Sequence, residues 1–197
     1  KEITMVNPQA KVHIQYSDKP FKVVDGWNII GYPSLTKFQK ELEEEQFQVV
    51  MADEAHYIQA VNNFGKPDSQ RAAAVLRIAA TSQYVFPITG TPKTNRNLNL
   101  YNILRMMRHP LTRGRFAFSH YGKYFCDGQS TPWGMDYSGN SHDSELNQKL
   151  CGIVGVGSPQ RLTGGELKLR FIPSFIKTLK NENIINDYSF TFKFHHG

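Results

Sequence analysis

Two apolar runs, each ending in a short polar motif, constrain the fold of this chain more than any other feature. Residues 47–52, with Val49 and Val50 at their centre, lead directly into Asp53-Glu54-Ala55-His56. Residues 84–88 lead into Thr89-Gly90-Thr91-Pro92, with Thr89 lying 36 residues beyond Asp53. Both runs have the length of buried strands. Between them Ala72, Val75, Leu76, Ala79 and Ala80 recur at helical spacing. A helix between two such strands carries the chain back to the same end of a sheet. The two runs are therefore predicted to be parallel neighbours, with residues 62–82 as the crossover and with Asp53 and Thr89 on one sheet edge.

The flanking sequence continues the alternation. Residues 12–16 alternate apolar and polar, as in a half-buried strand, and 27–30 form another strand closed by Gly31 and Pro33. Residues 34–45 place Leu35, Phe38 and Leu42 on one helical face, and Leu100, Ile103, Leu104 and Met107 repeat that spacing. Pro87 lies in the second run although it cannot donate a ladder bond. Strand–helix alternation of this kind predicts an α/β fold with a largely parallel sheet flanked by helices. Residues 126–142 carry loop chemistry, and 143–150 are predicted to be a short helix. Beyond Cys151 glycines crowd at 152, 155, 157, 164 and 165. Residues 151–197 are therefore set apart as an unassigned tail, expected not to complete the preceding fold. Hydrophobic residues make up 40% and charged residues 20%, which places the chain among globular rather than disordered sequences. No apolar run approaches the ~20 residues of a membrane helix.

The acidic tetrad is the strongest chemical signal. Open α/β sheets place ligand chemistry at the carboxyl ends of their strands. One carboxylate there can hold Mg²⁺ through water while the metal bridges phosphate oxygens. Its neighbour can polarise an attacking water. The alternative is structural, because acids also complement the dipole at a helix N-terminus. Thr89-Gly90-Thr91-Pro92 alone reads as a turn, in which Gly permits the bend and Pro sets the exit. Its hydroxyls can hydrogen-bond carboxylates on the adjacent strand.

Charge adds a direction but no identity. Lys plus Arg is 23 and Asp plus Glu 17, a net charge of +6 that suits an anionic partner. Lys93, Arg96, Arg105, Arg108, Arg113, Arg115 and Lys123 form a basic stretch with no acid among them. It reads equally as a solvated face or as a phosphate contact. Cys126 and Cys151 lack metal-site spacing and are expected to be free thiols. His195-His196 is expected to be a chain-end feature rather than a metal site. His56 beside Glu54 does not form H-E-x-x-H.

Taken together, Asp53-Glu54-Ala55-His56, a helix, and Thr89-Gly90-Thr91-Pro92 resemble motifs II and III in the first motor lobe of superfamily 2 helicases. Residues 27–35, Trp-Asn-Ile-Ile-Gly-Tyr-Pro-Ser-Leu, resemble the SNF2-type segment that precedes motif II and approaches DNA. Asn95 and the helix at 98–107 resemble the continuation after motif III. Tyr124-Phe125-Cys126-Asp127-Gly128, followed by Pro132-Trp133-Gly134-Met135-Asp136-Tyr137-Ser138-Gly139, is similar to the annealing-helicase branch of that family. The resemblance covers residues 1–150, with a loop insertion at about 124–142. It implies a RecA-like lobe, incomplete at its N-terminus, from an ATP-dependent DNA helicase or translocase using ATP and Mg²⁺. Asp53 would then hold the Mg²⁺ and Glu54 would activate water, while His56 would couple the nucleotide site to the rest of the motor. Thr89, Gly90 and Thr91 would link motif II to the DNA-facing side, and Tyr32, Lys93 and Asn95 would lie toward the nucleic acid. DNA, double-stranded or branched, is the implied partner. The implied location is intracellular: cytoplasm or nucleoid in a bacterium or phage, nucleus in a eukaryote. The family's phosphate loop, G-x-x-x-x-G-K-[ST], occurs nowhere in the 197 residues, and the chain begins at Lys1 rather than Met. An upstream segment and a second motor lobe are therefore expected to lie outside this chain. The alternative is a lobe that binds DNA or a partner without turning over ATP.

Overall fold

The computed structural model describes residues 3, 7–90, 93 and 95–150. Contacts divide the chain into a unit ending at Ser141 and a second beginning at His142. In the first unit β1 (Val12–Gln15) pairs in parallel with β2 (Trp27–Ile30), and β3 (Val49–Ala52) pairs in parallel with β4 (Tyr84–Pro87). Val49 lies opposite Tyr84 and Ala52 opposite Pro87. The predicted parallel neighbours are therefore present, and the 3-10 turn Ala55–Ile58 and helix α3 (Gln70–Thr81) lie between them in the chain. Among the described residues the two ladders are separate two-stranded sheets rather than one continuous sheet.

The helix predicted at 34–45 divides into α1 (Tyr32–Leu35) and α2 (Gln39–Glu44), because Phe38 leaves helical geometry at φ −107°, ψ 21°. Leu35, Phe38 and Leu42 nonetheless all enter the core. Helix α3 buries Ala72, Ala74, Val75, Ile78 and Ala79, and Ser69 caps it by accepting from the Ala72 N–H at 3.1 Å. Its far end is closed by Arg108, whose guanidinium donates to the carbonyls of Ala79, Ala80 and Ser82. A cation there opposes the negative end of the helix dipole. Next come α4 (Leu100–Met106), buried along most of its length, and α5 (Ala117–Phe125). A hairpin of β5 (Gln129–Thr131) and β6 (Gly134–Asp136) completes the first unit. Part of the stretch predicted to be loop is thus an ordered antiparallel pair. The second unit is described over α6 (Asp143–Leu150), the predicted short helix, with the ion pair Lys149–Glu145 at 3.3 Å on its surface. The expectation for residues 151–197 lies outside the described residues. Among those described, no helix is long and apolar enough to cross a membrane.

In β1 the apolar face looks outward. Ile14 is 48% exposed whereas Gln15 is 5% exposed. The reason is the connection from β1 to β2, which crosses between parallel strands without a helix. The buried Gln15 amide supports it from within: Nε2 donates to the carbonyls of Tyr16, Lys19 and Pro20, and Oε1 accepts from the Lys22 N–H. Asn28 similarly pairs with both the N–H and the carbonyl of Val24. Gly26 is required where this loop closes. It sits at φ +146°, and a Cβ there would lie 2.5 Å from the Lys11 carbonyl oxygen.

Candidate functional site

Ile88 builds the shared edge. Its N–H donates to the Ala52 carbonyl at 2.8 Å, and its carbonyl accepts from the Ala55 N–H at 2.8 Å. One backbone unit at the end of β4 therefore spans the two residues that leave β3, which are Asp53 and Glu54. Thr89 follows at once, half-buried, and Gly90 is exposed. The turn is tight enough that Glu54 adopts left-handed geometry, φ 49°, ψ 50°, which is uncommon for a residue with a side chain. Asp53 Oδ1 accepts from the Glu54 N–H at 2.9 Å, so one carboxylate oxygen stabilises the turn.

Around this turn lies an aromatic group. The Tyr32 hydroxyl donates to the Asp53 carbonyl at 2.7 Å. The Tyr32 and Tyr57 rings lie 5.5 Å apart, the Tyr57 and His56 rings 4.3 Å apart, and the Arg71 guanidinium sits 5.8 Å from the Tyr57 ring centre. Burial, then the negative charges of Asp53 and Glu54, push the Tyr32 hydroxyl up to about 12 from its ordinary value of 10.0. It is therefore a permanent donor at neutral pH. His56 Nδ1 lies 3.1 Å from Glu54 Oε2, an ion-pair distance once the ring is protonated, although no hydrogen bond forms there. An open cleft of about 360 Å³ beside this group is lined by Pro33, Thr36, Gln70 and Arg71.

Tyr32, Asp53, Glu54, His56 and Thr89 thus share one edge. Lys93 and Asn95 join a second group. Lys93 stands close enough to Cys126 to lower its thiol, although burial prevails and drives that thiol up to about 12. The Asn95 carbonyl accepts from Asn140 Nδ2 at 3.0 Å. Thr91 lies outside the described residues. The second group centres on Asn97. Its Nδ2 donates to the Phe125 and Ser141 carbonyls, its N–H donates to Asn140 Oδ1, and its carbonyl accepts from the Tyr121 hydroxyl. This network docks Asn97 onto α5 and onto Asn140 and Ser141, in the segment that follows the hairpin. Nothing in the sequence singled out Asn97, Tyr57 or Arg71. Each has a partner more than ten positions away, Tyr32 for Tyr57, Tyr57 for Arg71 and Asn140 for Asn97, so one dimension carries little signal for them.

The carboxylates suit a hydrated cation rather than a closed cage. Among the described residues no group of three or more His, Cys, Asp or Glu side chains could hold a metal. A metal that keeps most of its waters and takes one carboxylate fits that arrangement. Three arginines of the basic stretch have structural partners: Arg108 caps α3, Arg105 Nη1 donates to the Gly65 carbonyl at 3.0 Å, and Arg113 Nε donates to the Arg108 carbonyl at 2.9 Å.

No protein-family profile matches the chain. Curated relatives do. Over 123 residues it is 32% identical to SWI/SNF-related matrix-associated actin-dependent regulator of chromatin subfamily A-like protein 1 of Xenopus tropicalis, covering 62% of this chain and 12% of that protein. The Bos taurus protein of the same name is 29% identical over 130 residues, 66% of this chain and 13% of the relative. The human DNA annealing helicase and endonuclease ZRANB3 is 29% identical over 136 residues, 64% of this chain and 12% of the relative. The chain thus spans about an eighth of the length of these relatives. With its acidic box and its Thr-Gly turn on one strand edge, the chain is similar to one segment of the SNF2-type annealing helicases.

Proposed function

We propose that this chain forms part of a RecA-like motor lobe of an ATP-dependent DNA helicase or translocase, and that Asp53 and Glu54 divide the work at its nucleotide site. The observation that supports this best is the pair of Ile88 backbone bonds, which hold both motifs at one strand edge. Asp53, with one oxygen accepting from the Glu54 N–H, would hold a hydrated Mg²⁺ through the other. Glu54 would accept a proton from water, and His56, whose Nδ1 lies 3.1 Å from Glu54 Oε2, would couple the nucleotide site to the rest of the motor. When bound, Mg-ATP supplies the anhydride to be cleaved and the charge that positioning must stabilise. Tyr32 steadies the turn through the Asp53 carbonyl, and Thr89 with Gly90 and Thr91 carries the state of the turn toward the Asn97 network. Tyr32, Lys93 and Asn95 would stand on the DNA side, and translocation along duplex or annealing of strands would be the output. The location would follow the DNA: nucleus in a eukaryote, nucleoid or cytoplasm otherwise.

A second reading has its own observation. The net charge of +6 suits an anionic partner, as in a lobe that binds DNA or a partner without turnover. One experiment separates the two. In a polypeptide carrying the whole motor, Asp53→Asn should weaken Mg²⁺-dependent ATP binding at least tenfold and leave Mg²⁺-free binding unchanged. Equal Mg²⁺ dependence in variant and parent would favour the second reading.

A further inference from the structure

Asn102 sits where a core would favour a leucine. It lies inside α4, among buried apolar neighbours, and is 0% exposed. Asparagine is a poor residue for a helix interior, and a buried carboxamide costs stability unless its polar atoms are paired. Nδ2 donates to the Ile58 carbonyl and to the Ala60 carbonyl, each at 2.9 Å. Both acceptors are backbone oxygens, so only the amide nitrogen can face them. Oδ1 is buried and accepts no hydrogen bond among the described residues. An unpaired buried acceptor is destabilising. Packing alone does not account for a residue with this balance, whereas its grip on residues 58 to 60 does.

That grip reaches Glu54 through the backbone. The Ile58 carbonyl and the Gln59 N–H belong to one peptide unit, and the Gln59 N–H donates to the His56 carbonyl at 3.3 Å. The His56 carbonyl shares its unit with the Tyr57 N–H, which donates to the Glu54 carbonyl at 3.0 Å. The Glu54 carbonyl shares its unit with the Ala55 N–H, which donates to the Ile88 carbonyl at 2.8 Å. Three planar peptide units thus form one hydrogen-bonded relay, with Asn102 at one end and Ile88 at the other. Bonds in such a chain polarise one another. Glu54 stands within it at φ 49°, a left-handed geometry that persists only when its surroundings hold it.

α4 is a firm anchor for the Asn102 end. One turn on, Arg105 Nη1 donates to the Gly65 carbonyl, further along the same segment. Tyr101 packs edge-on against Phe118 of α5 with ring centroids 5.1 Å apart. We propose that Asn102 is a positioning residue for Glu54, acting through this relay of peptide units to set the direction of its carboxylate. The proposal rests on the reading of Glu54 as the group that accepts a proton from water.

The test uses a polypeptide carrying the whole proposed motor, with steady-state ATP turnover as the first readout. Asn102→Leu keeps the branched shape, suits a buried helical position and removes both donors. It should lower kcat about tenfold to a hundredfold and leave the KM for ATP within about threefold. In a Glu54→Gln background the same substitution should change the residual turnover by less than about twofold, because the group it positions has already lost its basicity. Arg108→Ala, which loosens α3, is the control for general destabilisation and should keep kcat within about threefold of the parent. Should the leucine variant not fold, Asn102→Ser retains one donor and should lower kcat about threefold to tenfold with the same split. A parent-like kcat, a rise in KM alone, or an equal loss in the Glu54→Gln background would each overturn the proposal. Parent-like turnover of Glu54→Gln itself would overturn the reading of the acidic box instead. The relay is then decided by amide exchange in the 197-residue chain. There Asn102→Leu should speed exchange of the Ala55 N–H at least about tenfold relative to the Val75 N–H in α3, and an unchanged ratio would overturn it.

Discussion

Tyr32 links α1 to the turn that carries the carboxylates through one bond to the Asp53 carbonyl. Removing the hydroxyl with Tyr32→Phe should cost about 0.5–1.5 kcal/mol of stability, read by urea denaturation at pH 7. The pH dependence has a definite sign. Below pH 10 the folded and unfolded chains both keep the phenolic proton. Between the ordinary value of 10.0 and the folded value of about 12 the unfolded chain loses it first, so this contribution fades as pH rises through that window. Tyr32→Phe should therefore flatten part of the alkaline loss of stability between pH 10 and 12, and an unchanged alkaline profile would contradict the assignment. Tyr121, raised by burial and bonded to the Asn97 carbonyl, contributes in the same direction. Glu54 is the other residue under local constraint. Its left-handed backbone persists because Ile88 fastens both sides of the turn.

At the scale of elements, α5 and the hairpin depend on one another through two glycines. Replacing a helical glycine by alanine ordinarily stabilises a protein by about 0.5–1 kcal/mol. In α5 the sign reverses, because a Cβ on residue 122 would meet the Tyr137 ring at 2.6 Å. Gly122→Ala should destabilise by roughly 1–3 kcal/mol in thermal or denaturant melts and should detach the hairpin, raising its protease sensitivity. Stabilisation by this substitution would refute the packing. Arg108→Ala should cost about 1–2 kcal/mol by uncapping α3. These elements also mark what was legible in one dimension. The β3–β4 pair and α3 were, because apolar runs and helical spacing are local signals that burial then obeys. The break at Phe38, the outward face of β1 and the β5–β6 hairpin were not. Each depends on a distant partner or loop: the core pocket for Phe38, the 16–22 loop organised by Gln15, and the notch at Gly122 for Tyr137. The basic stretch was ambiguous for the same reason. Whether an arginine meets solvent, phosphate or a helix end depends on what folds against it, and Arg108 meets the end of α3.

At the scale of the whole molecule, the chain offers carboxylates and a strand edge but no Gly-Lys phosphate cradle of its own. Isolated, it should bind Mg-ATP only weakly in calorimetric titration, and micromolar affinity would contradict this division of the site. The buried thiol of Cys126, held up to about 12, should also resist alkylation at neutral pH in the folded protein. The relatives are about eight times longer than the stretch they share with this chain, so the proposed turnover is to be tested in a polypeptide carrying the whole proposed motor. The most direct test of the central claim is single-turnover ATP hydrolysis, with ATP binding measured in parallel, by the complete motor carrying Glu54→Gln. The amide keeps the shape of the side chain but not its basicity. Hydrolysis should fall by at least a hundredfold while ATP affinity stays within about threefold of the parent; turnover near the parent rate would contradict the assignment of Glu54 and the reading of the edge it stands on.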